Sequence, residues 1–449
     1  MTPRFKLFND PVHGFVSVPK GLVLRLVETP EFQRLRRIRQ LGLGFLVFPG
    51  AVHTRFEHGL GAMALMQEAL GTIQGKGTVL TTDEVEGALV AALLHDVGHG
   101  PFSHTLEREL IPPGAPGTRP GASPEASGAP FRHEAMSRAI LGRLDRRLGG
   151  RLETALAIFD GTYERPFFTG LLASQLDMDR LDYLRRDSFY TGVAEGVVGV
   201  ERILKTLRVH GRGPDAQIVI EAKGGYAVEN LLLSRRLMYW QVYLHKTVLA
   251  ADHVLRGAFG RARERWTSGD PALAETAPAL AHFMSGRVTA GAFRDPDGAP
   301  PEAVDAFCEL DDTDVLASMK RWKRSADGVL ADLSRRFLDR DLFRTTFLER
   351  PATPDDLGLW REQAARWLVR EGVSPSPEAA AADAHYYVVA AESRHDAYST
   401  GGGSICILER DGTLRELSQA SDSGAVDALA SPVVKPYVVA PKALDLRPA

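Results

Sequence analysis

The residues best able to do chemistry lie in one stretch, Ala91-Ala92-Leu93-Leu94-His95-Asp96-Val97-Gly98-His99-Gly100-Pro101-Phe102-Ser103-His104-Thr105-Leu106-Glu107. An apolar run ends abruptly in a His-Asp pair. Two glycines and a proline break the helix, and two more histidines and a glutamate follow. Imidazole nitrogen with carboxylate oxygen is the donor set of a hard or borderline divalent metal. Adjacent His95 and Asp96 reach one ion if they sit at a helix terminus, which the breakers Gly98, Gly100 and Pro101 supply. A lone His-Asp dipeptide is more often a structural hydrogen-bond pair. Three histidines behind a buried apolar helix weigh the other way, because burying so many titratable groups is costly unless they are ligated or paired.

Two further constellations add donors. Arg55-Phe56-Glu57-His58 opens a helix that Thr54 can cap, with Arg55 and His58 three apart on one face. His58 is the natural extra ligand for an ion at His95 and Asp96, and Arg55 is placed to bind a phosphate beside it. Small residues Gly59, Gly61 and Ala62 allow another helix to approach closely. Downstream, Asp177-Met178-Asp179-Arg180-Leu181-Asp182-Tyr183-Leu184-Arg185-Arg186-Asp187 puts Asp179, Asp182 and Arg186 on one face and Leu181 and Leu184 inward. Read alone, this is a charge-rich amphipathic helix. Beside a His-Asp pair and a spare histidine, it is the source of a last carboxylate, Asp179. His58 and His95 then give nitrogens, and Asp96 and Asp179 give oxygens. That set leaves positions for water and a substrate oxygen, as catalysis requires. One divalent ion is implied, and the donors do not distinguish Mn, Mg, Fe, Zn or Ni.

The elements that must position these groups read as follows. Residues 5–19 alternate and carry Asp10-Pro11 and His13-Gly14, a small β-hairpin or extended arm. Thr29-Pro30 starts a helix over Glu31 to Leu41, with Phe32, Leu35 and Ile38 on one face. Arg34, Arg36, Arg37, Arg39 and Gln40 make its other side basic, which is usually a solvated face but could also hold a phosphate-bearing ligand. Asp83 opens the helix that ends at His95. The Pro/Gly/Ala/Ser run at 112–130 is a flexible surface insertion, and Phe131-Arg132-His133-Glu134 resumes a helical pattern. A long amphipathic helix is predicted beyond Ala222, carrying Leu231, Leu232, Leu237, Tyr239 and Tyr243. Residues 270–380 read as further helices with no motif. After His385 the pattern switches to strands at Tyr386–Val389, Ser404–Leu408 and Thr413–Leu417, with Asp411-Gly412 as a hairpin turn. Four segments follow: an arm and basic helix (1–50), a core (51–260), a helical extension (261–380) and a small α+β C-terminal module (381–449).

Composition bounds the rest. The chain has 449 residues, 44% hydrophobic and 25% charged, with net charge −3. This is globular, long enough for two or three domains, and without a nucleic-acid footprint. Two cysteines, Cys308 and Cys406, make no disulfide framework and point to a reducing compartment. No run spans a bilayer and no signal peptide opens the chain, so a cytoplasmic location is expected.

The ordered set His58, His95-Asp96, Asp179 resembles the metal signature of the HD phosphohydrolase superfamily. Longer blocks are similar to the deoxynucleoside triphosphate triphosphohydrolases: Asn9-Asp10-Pro11-Val12-His13-Gly14, Thr29-Pro30-Glu31-Phe32-Gln33-Arg34-Leu35-Arg36, Arg55 to His58, His95 to His104, and Asp177 to Tyr183. The resemblance covers roughly residues 5 to 260. It implies a mainly α fold built on an HD-domain helical bundle, to which the residue patterns add the short N-terminal β arm and the small C-terminal α+β module. It implies metal-dependent hydrolysis of a dNTP to the deoxynucleoside and inorganic triphosphate. Position by position, His58, His95, Asp96 and Asp179 match the metal ligands. His104 and Glu107 match the catalytic pair, supported by His99 and His133. Arg55, Arg180 and Tyr183 match triphosphate contacts, Gln40 and Asp187 match readers of the sugar 3′-hydroxyl, and Tyr243 matches a ring under the deoxyribose. Lys6, Asn9, Glu28, Gln33 and Arg36 fall where the family binds an activating guanine nucleotide. A homo-oligomer, dimer to hexamer, is also implied. The alternatives are an HD phosphohydrolase acting on another nucleotide or a phosphodiester, and a non-catalytic nucleotide-binding regulator.

Overall fold

The computed structural model describes residues 4–113, 130–401 and 403–446; the expected insertion lies outside the described residues from 114 to 129. The arm is an antiparallel ribbon of β1 (Phe5–Asp10) and β2 (Gly14–Pro19), in register from Phe5 opposite Pro19 to Asp10 opposite Gly14. Its turn closes because one Asp10 carboxylate oxygen accepts from the Val12 and His13 N–H groups, both at 2.9 Å. Gly14 follows at φ 72°, a conformation that favours glycine.

Thr29 caps a helix that starts at Pro30 as the sequence suggests, but the helix does not reach Leu41. After Gln33 it tightens into a 3₁₀ turn over Arg34–Arg37, and Ile38 is extended. Tertiary pairing overrides the helical periodicity here. The Ile38 carbonyl accepts from Arg55 N–H, Gln40 N–H donates to the His53 carbonyl, and Arg39 bridges Thr54. The basic face is also largely committed within the protein. Buried Arg34 donates to the carbonyls of Leu310, Val97 and His99, each at 2.8 Å. Arg37 pairs with Asp311, and Arg39 with Asp312.

The centre of the fold is helical. Helix Arg55–Gly75 is closed at its start by Glu57, which accepts from the Thr54 backbone N–H at 2.7 Å and from its hydroxyl. Helix Thr82–Leu94 is capped by Thr81 rather than opened by Asp83; Asp83 and Glu84 sit in its first turn, where the dipole favours negative charge. Leu89 to Leu94 are all buried, so this helix is the core's central rod. Helix Arg55–Gly75 packs between it and helix Met178–Thr191. Its glycines permit this: a Cβ on Gly61 would lie 1.9 Å from an Asp182 oxygen, and one on Gly59 3.0 Å from the Leu93 carbonyl. Helix Glu153–Phe159 packs along the rod, and helix His133–Arg147 packs on it in turn.

Helix Gly225–Met238 continues into a π-helical turn, Tyr239–Tyr243, and helix Lys246–Glu264 follows. The remaining strands are β3 (Leu207–His210), β4 (Gln217–Glu221), β5 (Arg344–Phe347), β6 (Val389–His395), β7 (Cys406–Leu408), β8 (Leu414–Glu416) and β9 (Val433–Ala440). They form a four-stranded sheet, β3-β4-β7-β8, and a three-stranded one, β5-β9-β6. β7 runs parallel to β4, so the C-terminal strands complete sheets begun earlier in the chain. The β7–β8 turn holds Asp411-Gly412, with Gly412 at φ 89°. The first C-terminal strand starts at Val389, because Ala384–Tyr386 is a 3₁₀ turn. Among the described residues no helix is long and apolar enough to cross a membrane. The fold is mainly α with small sheets, a helical core and a short N-terminal β arm.

Candidate active site

Helix Thr82–Leu94 ends where the His-Asp pair begins, and His95 is its C-cap. Opposite, the first turn of helix Arg55–Gly75 presents His58, and the first turn of helix Met178–Thr191 presents Asp179. Donor atoms of His58, His95 and Asp179 all lie within 4.8 Å of one another. The two imidazole Nε2 atoms are 3.3 Å apart; Asp179 Oδ1 lies 3.1 Å from His58 Nε2 and 3.5 Å from His95 Nε2. Asp96 reaches the same point, with its oxygens 3.5 Å from each Nε2.

The tautomers argue for a cation. His95 Nδ1 lies 2.8 Å from the Ala92 carbonyl, which accepts only from N–H. His58 Nδ1 lies 2.8 Å from Asp182 Oδ2. In the neutral rings both Nε2 atoms are therefore bare lone pairs facing each other and two carboxylates, an arrangement that a divalent ion satisfies. The residues present thus fit one ion. Burial opposes charge on His58, but Asp179 and Asp182 outweigh it and raise His58 to about 10. Burial likewise opposes the Asp96 carboxylate, yet His95, Arg55 and His58 hold it at about 2.

A buried array positions His58. Asp182, fully buried, also contacts His13 Nε2 at 2.6 Å and accepts from Arg186 Nε and Nη2 at 2.9 Å each; Arg186 Nη1 donates to Asp10 at 2.7 Å. The arm's turn is thus wired to the candidate metal centre. Sequence reasoning missed Asp10 and His13 in this role; their signal was Asp10-Pro11-Val12-His13-Gly14, a polar turn motif with no evident solvent function.

A second cluster adjoins the first. Glu107 Oε1 accepts from His104 Nδ1 at 3.0 Å and from His133 Nδ1 at 2.9 Å. Burial would raise the Glu107 carboxyl, but these two imidazoles bring it down to about 2. His133 Nε2 is 3.8 Å from Asp96 Oδ1. The His99 ring lies 3.7 Å from that of His133, and its pKa is pushed well below the ordinary value by burial and then by Arg55, His133 and His104. The His104 side chain is 67% exposed, so the cluster has one open end. The close approach of helix His133–Arg147 needs Gly98, whose Cβ would lie 2.2 Å from the Ser137 N.

The other candidates surround these clusters. Arg55 Nη1 pairs with Asp96 and its Nε donates to Ser103 Oγ at 2.9 Å. Arg180 Nε donates to the Ser174 carbonyl at 2.6 Å and lies 3.3 Å from Asp177. Asp187 contacts His53 Nε2 at 2.7 Å and accepts the Tyr243 hydroxyl at 2.8 Å. Buried Gln40 meets the same His53 through its backbone, and its Oε1 has no partner among the described residues. The Tyr183 and Tyr243 rings are 6.1 Å apart, and burial raises both phenols. Tyr239 and His395 extend this aromatic wall, stacked at 3.6 Å, with His395 arriving on β6. At the arm, Lys6 pairs with Glu28 at 3.2 Å on the surface. Gln33 donates to the Val27 carbonyl and accepts from Arg36, whose guanidinium lies 3.5 Å from the Phe56 ring centre. Asn9 sits in β1 opposite Phe15.

The chain is similar to known proteins in sequence and in fold. A family model for the HD domain matches residues 55–160, and one for the HD associated region matches residues 198–275. An uncharacterized protein of Bacillus subtilis, YwfO, is 33% identical over 93% of this chain and 88% of its own length. The human deoxynucleoside triphosphate triphosphohydrolase SAMHD1 is 31% identical over 57% of this chain, which spans 44% of that protein. A crystal structure of a phosphohydrolase from Bacteroides thetaiotaomicron superposes with a TM-score of 0.85 at 38% identity, covering 97% of this chain and 99% of that one.

Proposed function

Because the chain belongs to the HD-domain phosphohydrolases, we propose that it hydrolyses deoxynucleoside triphosphates to the deoxynucleoside and inorganic triphosphate. The observation that carries this reading is the adjacency of two side-chain clusters. The His58, His95, Asp96 and Asp179 donors stand beside the Glu107-held His104, and the Tyr243–Asp187–His53 chain flanks them. The similarity to human SAMHD1 supports the same substrate class.

His58, His95, Asp96 and Asp179 would hold a divalent ion, which would supply Lewis acidity to a phosphoryl oxygen and a water. The chain's residues do the rest. Arg55 is fixed by Asp96 and Ser103, so its remaining N–H groups would meet phosphate oxygens. Arg180 and Tyr183 would complete the triphosphate cradle. Donation of Nδ1–H to Glu107 turns the Nε2–H of His104 outward. That proton goes to the 5′-oxygen as its bond to the α-phosphorus breaks and water oxygen takes its place. His133 keeps Glu107 ionised, and neutral His99 packs His133 in place. Asp187 and Gln40 would read the 3′-hydroxyl, and the Tyr243 ring would crowd a 2′-hydroxyl. By the same resemblance the proposal includes a guanine-nucleotide activator at Lys6, Asn9, Glu28, Gln33 and Arg36, and a homo-oligomer. The test is release of inorganic triphosphate from the four dNTPs with Mn²⁺ or Mg²⁺, with and without dGTP or GTP. Turnover of phosphodiesters or other nucleotides without triphosphate release would replace this reading.

A further inference from the structure

Two consecutive non-glycine residues, Phe102 at φ 52° and Ser103 at φ 56°, stand immediately before His104. This left-handed conformation is disfavoured for L-residues and persists only where the surroundings over-determine it. Phe102 is fully buried. On one side, the Phe102 carbonyl lies so close to Gly42 that a Cβ there would stand 2.7 Å from it. Ser103 Oγ donates to the carbonyls of Arg39 and Gln40 at 2.9 and 3.2 Å. On the other side, the constraint comes from far along the chain. Asp312, in the first turn of helix Asp312–Trp322, accepts the Phe102 N–H at 2.7 Å through Oδ1. Its Oδ2 accepts from Arg39 N at 3.1 Å and Arg39 Nη1 at 3.3 Å. Two residues earlier, the Leu310 carbonyl shares the Arg34 guanidinium with the carbonyls of Val97 and His99.

We infer that Asp312 is a positioning residue. Its carboxylate holds the Phe102–Ser103 backbone left-handed, so that His104 meets Glu107, and ties that loop to the segment at 34–40. One carboxylate with both oxygens engaged by two segments fixes their relative placement in a way that side-chain packing alone does not. A displaced loop would carry His104 away from Glu107 while leaving His58, His95 and Asp179, which stand on helices, in place. The helical extension, which bears no motif, thereby takes part in the reaction. The role rests on the reading of His104 as the acid, but the backbone hold does not.

The experiment uses the full chain with Asp312→Ala, Asp312→Asn and, as a control, Asp339→Ala at an exposed pair with Lys323. Amide exchange by mass spectrometry reads the backbone, and steady-state kinetics with metal content reads the chemistry. Asp312→Ala is expected to speed exchange in the 99–106 segment while the segment around His58 keeps its protection. It should lower kcat about 10- to 100-fold, with KM and bound metal nearly unchanged. Asp312→Asn keeps an oxygen acceptor for one of the two segments and turns an N–H2 toward the donors of the other, so it should fall between wild type and Asp312→Ala on both readouts, and it carries the test if the alanine variant does not fold. Unchanged exchange at 99–106, exchange raised throughout the molecule, or an Asp312→Asn enzyme as slow as Asp312→Ala would each overturn the proposal. A chain that hydrolyses no dNTP would fail the functional reading, while the exchange data still decide the hold.

Discussion

Glu107→Gln isolates the acid. Glu107 is a single acceptor for two imidazoles, at 3.0 Å from His104 and 2.9 Å from His133. Its carboxyl is brought from 4.5 to about 2 by them, against a burial cost that would raise it. The difference, 4.5 − 2, corresponds to about 3 kcal/mol at 1.36 kcal/mol per pH unit, which is what the two rings contribute beyond offsetting the burial cost. If the two share it equally, replacing the carboxylate by a neutral amide removes about 1.5 kcal/mol from the hold on each ring. The amide keeps volume and an acceptor oxygen, so the fold should stand. The expected result is a kcat about 10-fold or more below wild type at neutral pH. Metal content should be unchanged, because Glu107 holds His104 and His133 and none of the four metal donors. The assay is triphosphate release measured from pH 5.5 to 9 with metal quantified in the same samples. A metal-loaded variant with wild-type kcat would refute the assignment of His104 and Glu107 as an acid and its orienter.

Three other outcomes follow from the same geometry. Asp182→Asn should weaken ion binding about 10- to 100-fold by releasing His58 Nδ1, and lower stability by about 3 kcal/mol by leaving buried Arg186 with Asp10 alone; metal titration and denaturant unfolding check both, and unchanged affinity would contradict the role given to Asp182. Tyr243→Ala should raise the ribonucleotide-to-deoxyribonucleotide ratio of kcat/KM about 10-fold, whereas Tyr243→Phe, which loses only the hydroxyl bond to Asp187, should leave that ratio near wild type. Asp312, lifted to about 6 by burial despite the N–H groups of Phe102 and Arg39 and the Arg39 charge, gives the pH test. A folded-state value above the unfolded one means the folded chain binds the proton more tightly, so this group's contribution is full below pH 4 and lost by pH 6. Relative to Asp312→Asn, the wild type should therefore lose about 3 kcal/mol across that window in unfolding titrations.

Much of the architecture was legible because it rests on local rules. Thr29-Pro30 and Thr54 mark helix starts, Asp411-Gly412 marks a hairpin, and the apolar run to Leu94 marks a buried rod. The donors His58, His95, Asp96 and Asp179 stood out by type, and the structure brings them to one point. What stayed hidden depends on distant partners. Nothing local stops the helix at Arg37; pairing of Ile38 to Gln40 with His53 to Arg55 does. Nothing local makes Phe102 and Ser103 left-handed, since glycine stands at neither; Asp312 and the close approach of Gly42 do. The basic residues near position 36 pointed to a ligand, yet Arg34, Arg37 and Arg39 are bonded to backbone carbonyls, Asp311 and Asp312. The parallel β4–β7 pairing joins segments nearly two hundred residues apart, and no periodicity encodes it.

The most direct test of the central claim is to incubate the metal-loaded protein and its His95→Ala variant with each dNTP and to identify the phosphate product. The account predicts inorganic triphosphate and free deoxynucleoside from the wild type, with both product and bound metal lost in the variant. Pyrophosphate or monophosphate as the product, no product under any metal or nucleotide condition, or undiminished triphosphate release by a metal-free His95→Ala protein would contradict it.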